Sequence, residues 1–328
     1  MDDVKKYNCV KYIETKTADQ FLRYIDPSHR RWGGITELNS RWIFRGHGNA
    51  SWALVPKGWR NDPRKSSPLY EEATEQWETH FRHRPAYKVF SKSRIVDGLI
   101  MTAVIYEITY RFVQLCDEQG FFVPVEKVHS GSAYLRDYCH GWPDYESGYP
   151  LLSFALAQHH GVPTNLLDWT RNAEYAAFFA ADDNFDPMSD KKNPNIAVWA
   201  LNLKLLNPRE VNSLHVLKCP RSENNFLHSQ DGLFVWYPGA NHHYLKYGNW
   251  PDFLDVLETR FAKARQKPIQ KITLPANEVS ILLHKLFRKR ISKARLMPTY
   301  DNIFETIYKN LQVEAANRDL TTSGGAAV

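Results

Sequence analysis

Runs rich in β-branched and aromatic residues recur along the chain, set apart by long helical patterns rather than gathered in one place. Arg41–Arg45, Ile196–Leu203, Val211–Lys218, Gly232–Trp236 and Ile269–Leu274 have strand composition. Between and around them, Ala18–Ile25, Pro68–Phe90, Arg94–Cys116, Leu151–His160, Asn172–Ala181, Asp252–Phe261, Asn277–Ile291 and Asp301–Leu311 carry helical spacing. Strands so far apart must pair over long stretches of chain, which points to an α+β domain with helices packed around a sheet. No internal repeat is visible, which argues against a solenoid.

The 328 residues, 43% of them hydrophobic, suffice for a large core, and ten Trp with seventeen each of Tyr and Phe argue for a packed globule. A single domain over 18–315 is expected, with a helical insertion near 61–149, a polar lead-in over 1–17 and a disordered tail over 316–328. The Gly98–Cys116 run holds Glu107 and Arg111, charges that are expensive in lipid, and so reads as a buried amphipathic helix rather than a span. Met1–Lys6 lacks the apolar stretch of a signal peptide. Cys9, Cys116, Cys139 and Cys219 show no paired spacing and fit reduced thiols. A cytoplasmic protein with no membrane partner is the expectation.

The formal charge of +6 permits contact with a polyanion. Lys285, Arg288, Lys289 and Lys293 fall at i, i+3, i+4 and i+8, on one helical face, the first three within the expected Asn277–Ile291 helix. Such a stripe is either a nucleic-acid surface or a solvated helix face.

Chemistry concentrates in three segments. Phe44-Arg45-Gly46 ends a strand, with Gly48 close behind and Leu54-Val55-Pro56 and Arg60 following. Arg45 offers a forked donor suited to phosphate, and glycines on both sides of His47 would let a ligand approach the backbone. The alternative is that Arg45 pairs with an internal carboxylate such as Asp168. The second segment, Ala157-Gln158-His159-His160-Gly161-Val162-Pro163-Thr164-Asn165-Leu166-Leu167-Asp168-Trp169-Thr170, reads as a helix closed by Gly161 and a loop over Val162–Trp169. Thr170 or Asp168 could cap the helix that follows. Adjacent His159 and His160 project differently and do not readily share a metal, so one is expected to face a cleft and the other to be structural. Glu174 would complement that helix's dipole. The third segment is Gln230-Asp231-Gly232-Leu233-Phe234, in which the Gln230 amide could both donate to and accept from a sugar hydroxyl.

Together and in this order, these segments resemble the FRG family, from about Ala18 to about Leu311. That family resembles, distantly, the ADP-ribosyltransferases. The resemblance implies a split, mixed or antiparallel β core and NAD as substrate. It implies Gln230, Asp168 and His159 as catalytic residues, with Arg45, His47, His160 and Thr164 holding the dinucleotide. It also implies a bacterial toxin or anti-phage effector with a nucleic-acid or protein acceptor and a possible antitoxin partner. Two other readings stay open: a nucleotide- or nucleic-acid-binding module without catalysis, and a metal-dependent nuclease or hydrolase using His159, His160 and Asp168.

Overall fold

The computed structural model describes residues 6–33, 41–60, 68–81, 94–124, 128–138, 151–186, 194–207, 213–219 and 225–324. Seven strands form one sheet: β1 (Val10–Glu14), β2 (Trp42–His47), β3 (Leu167–Thr170), β4 (Asn195–Asn202), β5 (His215–Leu217), β6 (Gly232–Trp236) and β7 (Ile269–Pro275). Their spatial order is β1-β7-β4-β2-β3-β6-β5. Only β1 and β7 run parallel; the other neighbours are antiparallel.

Strand periodicity of two explains the layering. On β2 and β4, Trp42, Phe44, Ile196, Val198 and Ala200 turn to one core, while Ile43, Trp199 and Leu201 turn to the other. The first core is covered by α1 (Ala18–Ile25), α7 (Ala173–Asn184) and α11 (Val279–Arg288). The alanines of α7 let that helix lie flush on β2 and β4. Asn172 caps α7 by accepting from the Glu174 and Tyr175 amides, the position expected of Thr170 or Asp168. The second core gathers α4 (Arg94–Glu118), α5 (Gly131–Tyr138), α6 (Leu151–His159), α9 (Ala240–Tyr247) and α10 (Phe253–Phe261). Short helices α2 (Lys57–Arg60), α3 (Pro68–Gln76), α8 (Asn225–Ser229) and α12 (Lys293–Leu296) and the long α13 (Tyr300–Gly324) complete the chain. A π-helical turn, Trp77–Phe81, extends α3. Between 61 and 149 the described residues hold helices and no strand.

By length and composition α4 is apolar enough to cross a membrane, yet half of its most apolar stretch is buried within the molecule. Its charges are accounted for: Arg111 Nε donates to Glu107 Oε1 at 2.7 Å, and the Gly131 amide donates to Glu107 Oε2 at 2.8 Å. Cys9, Cys116 and Cys219 are free thiols.

Several expectations are corrected. The polar lead-in contributes β1, an edge strand whose alternation is weak because Lys11, Tyr12 and Glu14 are exposed and Ile13 is only half-buried. The expected Val162–Trp169 loop ends in β3. The closing helix does not stop at Leu311 but runs to Gly324, into the stretch expected to be disordered.

The sheet is nearly divided. β2 meets β4 through six residue pairs and β3 meets β6 through four, but β2 and β3 share only Phe44–Thr170. Beyond that rung, toward His47 and Leu167, the two strands part.

Candidate functional site

A cleft of about 550 Å³ opens where β2 and β3 separate. Arg45, His47, Arg60, His159, Asp168 and Gln230 all line it. Residues far apart in the sequence thus meet because the two halves of the sheet each contribute a wall.

Arg45 spans the opening. Its Nη1 donates to the Asp168 backbone oxygen at 2.7 Å and lies 3.7 Å from the Asp168 carboxylate. Its Nε donates to His47 Nε2 at 3.2 Å. Burial pulls the guanidinium pKa down to about 10, against the pull of Asp168, so it stays charged at neutral pH. Arg45 therefore pairs with Asp168, as one sequence reading had it, and lines the cleft as well. His47 is buried, 3% exposed, and the Trp199 indole N–H lies 3.2 Å from its Nδ1. Burial first, then Arg45, Arg60 and Lys271, hold its pKa well below the ordinary value. A neutral imidazole accepts at one nitrogen only, so with Nε2 accepting from Arg45 the ring proton sits on Nδ1 and the Trp199 N–H is a contact rather than a second hydrogen bond.

The glycines of the first segment act differently from the sequence expectation. A Cβ on Gly46 would lie 2.0 Å from the Ala176 carbonyl oxygen and 2.7 Å from the Ala180 amide nitrogen. One on Gly48 would strike the Asp183 carboxylate at 2.4 Å. Both glycines make room for α7, not for a ligand.

The second segment divides its labour. Its Gly161–Thr164 turn is stitched to α2: Lys57 Nζ donates to the Gly161 oxygen at 2.9 Å, and the Gly58 amide donates to the Thr164 oxygen at 2.9 Å. Gly58 has no space for a Cβ, which would fall 2.7 Å from that same oxygen. Trp59, stacked on Trp250 with ring centroids 5.1 Å apart, pins α2 from the other side. The result holds Arg60 at the cleft, where its Nε donates to the Val55 oxygen at 2.7 Å. Burial lowers the Arg60 pKa, with Asp168 and Asp183 pulling it back.

Gln158, on the last turn of α6, connects the buried turn to the cleft. It accepts from the Thr164 hydroxyl, and its Nε2 donates to Asp168 Oδ1 at 2.6 Å. The Asp168 side chain is 59% exposed, so solvent can reach it. His159 lines the cleft, and burial, with the neighbouring His160, depresses its pKa to about 4. It is neutral at physiological pH. Thr170 donates to the Gln230 backbone oxygen at 2.6 Å, and Gln230 Nε2 donates to the Leu296 oxygen at 3.3 Å, so α12 steadies the amide at the cleft rim.

Two residues expected to hold the dinucleotide do not reach the cleft. His160 is exposed and stacks against Phe112, with its ring at 87° to that of His159. Thr164 is fully buried and is spent on Gln158. The basic stripe also dissolves. α11 ends at Arg288, Arg290 takes a left-handed backbone (φ 60°), and Lys293 belongs to α12. Lys285 pairs with Asp19 at 2.9 Å, Lys289 with Glu174 and Lys293 with Glu305, so three of the four cations tie elements together. Glu174 thus does more than complement the dipole of α7.

Sequence reasoning gave no role to Arg60, Gln158, Trp52, Asp182 or Asp183, all of which line the cleft. Arg60 and Gln158 stood inside the quoted segments and could have been singled out. The two aspartates sit on α7 behind a run of core residues and carry no local signal. Asp182 accepts from Lys309 Nζ at 2.6 Å, and burial raises the pKa of Asp183. Among the described residues, no group of three or more His, Cys, Asp or Glu is placed to hold a metal.

Residues 117–189 match the FRG domain model, a span that contains the second segment but neither Phe44-Arg45-Gly46 nor Gln230. It also takes in the end of α4 and α5, part of the stretch 61–149 expected to be a helical insertion. No curated protein and no solved structure matches the chain.

Proposed function

The chain carries an FRG domain over residues 117–189, and from that premise we propose that the split-sheet cleft binds NAD and transfers its ADP-ribose to an acceptor. The observation that carries this reading is the meeting of two guanidiniums, Arg45 and Arg60, with Asp168, His159 and Gln230 around one opening. Two cations in reach of one another suit a pyrophosphate, and the volume lies within the range of small-molecule sites. Trp52, 43% exposed at the cleft, offers a face for an aromatic base or nicotinamide ring.

In the step this supports, the bond between ribose C1′ and the nicotinamide nitrogen breaks, and its electron pair leaves with nicotinamide. The oxocarbenium-like carbon that develops is stabilised by a nearby carboxylate, for which Asp168 is the candidate. The acceptor's oxygen or nitrogen then bonds to C1′ and gives up its proton, which exposed Asp168 is able to receive. Gln158 fixes the carboxylate, and Gln230 addresses the ribose hydroxyls through an amide that both donates and accepts. Neutral His159 offers a lone pair or an N–H but no charge. Arg45 and Arg60 hold the phosphates so that binding energy far from the reacting carbon positions it.

The test is nicotinamide release from NAD by the purified chain without added metal, alone and with RNA, DNA or protein extract, beside a thermal-shift titration with NAD. Turnover that Asp168→Asn and Gln230→Ala both suppress supports the transferase. Stabilisation by NAD without release points to a binding module. Neither stabilisation nor release refutes the reading.

A further inference from the structure

The outer face of α13 is apolar and uncovered. Tyr300, Ile303, Phe304, Ile307, Tyr308 and Leu311 are 92, 47, 70, 56, 57 and 58% exposed. Their spacing of three and four residues gathers them into one stripe along the helix. The opposite face of the same helix is committed to the body of the protein: Val313 is fully buried, Lys309 grips Asp182, Glu305 pairs with Lys293, and Thr306 Oγ1 accepts from the Ala294 amide at 3.0 Å. The helix is therefore held in place and cannot roll to hide its apolar side.

We propose that this stripe is the interface of a homodimer in which α13 packs antiparallel on α13 of a second copy. Self-complementarity points to a second copy rather than to an unrelated protein. A two-fold axis must map the patch onto itself, so each residue needs a fitting counterpart on the same helix. The six positions are symmetric about the midpoint between Glu305 and Thr306. An antiparallel crossing there sets Tyr300 against the partner's Leu311 and Phe304 against the partner's Ile307, a large ring facing an aliphatic side chain in each layer. Ile303 and Tyr308 flank the seam.

Area agrees. Buried aromatic side chains cover about 150–250 Å² each, so Tyr300, Phe304 and Tyr308 alone bring on the order of 400 Å² per subunit. The three aliphatic residues raise this toward the roughly 800 Å² per partner of a specific interface, whereas a monomer rarely leaves more than a few hundred Å² of contiguous apolar surface open. The dimer would also adjoin the cleft: Lys309 anchors the cleft residue Asp182, and Asn302 Nδ2 donates at 2.7 Å to the oxygen of Met297, which lines the cleft too. The proposal stands independently of which ligand the cleft takes.

Sedimentation or light scattering of the whole chain over a wide concentration range tests it. The expected result is a dimer that Phe304→Glu turns into a monomer, weakening association at least about a hundredfold, with unchanged circular dichroism and melting point. The double variant Phe304→Cys/Ile307→Cys should form a disulfide-linked dimer under mild oxidation, which the parent with its own cysteines does not. A parent that stays monomeric throughout overturns the proposal. So does a dimer that survives Phe304→Glu with no cross-link between the introduced cysteines.

Discussion

Replacing Gly46 with Ala separates two meanings of a glycine beside a candidate phosphate-binding arginine. The new Cβ would sit 2.0 Å from the Ala176 carbonyl oxygen, and ordinary contact begins near 3.4 Å. About 1.4 Å must be regained, and the opposing atoms are helix backbone, which cannot swing aside as a side-chain tip would. α7 as a whole would have to lift from β2, disturbing the Phe44, Ala176, Ala177 and Ala180 contacts. Overpacking of this kind costs about 1–3 kcal/mol and more when backbone is involved. The reduced entropy of the unfolded chain returns about 0.4–1 kcal/mol. A net loss of about 2 kcal/mol is expected, and with an unfolding entropy of about 2.1 cal/mol/K per residue over 328 residues the melting point falls by about 3 °C. Denaturant titration should show a lowered midpoint, larger than for Gly161→Ala, whose Cβ would meet nothing within 4 Å but would be strained by a φ of 91°. A Gly46→Ala protein as stable as its parent yet unable to bind ligand would refute the packing argument and restore the sequence expectation that this glycine faces the ligand.

Arg45→Ala removes the 2.7 Å bond that bridges the parting strands as well as a candidate phosphate contact, so it should cost about 2 kcal/mol of stability and also abolish the NAD-induced thermal shift. An unchanged denaturation midpoint would show that the bridge carries no load. Gln230→Ala should depress nicotinamide release far more than NAD affinity, the pattern of an interaction that strengthens in the transition state; equal losses in both would place it in ground-state binding. His159, with its folded pKa lowered to about 4 from an ordinary 6.5, binds more protons when unfolded, so its contribution is present above pH 6.5 and is lost as pH falls toward 4. His159→Gln should flatten the acid limb of a stability–pH curve in that window, and an unaltered slope would mean the imidazole titrates freely in the folded state.

How far the sequence revealed this molecule depended on whether each signal was local. α1 and β6 stand at the expected bounds, because an amphipathic turn with a Thr17 cap and an uninterrupted apolar run announce themselves. The convergence of Arg45, Asp168, His159 and Gln230 on one cleft was expected from segment chemistry and family resemblance rather than from any periodicity. β3 was hidden because four residues containing an aspartate look like loop, and only pairing with β6 makes them a strand. The basic stripe failed for a related reason. It carried the helical face past the expected end at Ile291 to Lys293, and the chain turns at a left-handed Arg290 before it gets there. Gly46 and Gly48 show the deepest ambiguity, since a missing side chain reads the same whether a ligand or a helix fills the space.

The parallel pairing of β1 with β7 sets a schedule for biosynthesis. Val10–Glu14 leaves the ribosome well before its partner Ile269–Pro275, which follows more than two hundred residues later. At about 5–20 residues per second, β1 waits on the order of 15–50 s for its place in the sheet. Until then β4 lacks its neighbour on that side, because it too pairs with β7. The half of the sheet built from β3, β6 and β5 is complete once Trp236 has emerged and needs nothing from the N-terminus except Phe44. The wall of the cleft that β2 provides is thus backed on its far side last, when β7 closes on β4, the strand that β2 pairs with.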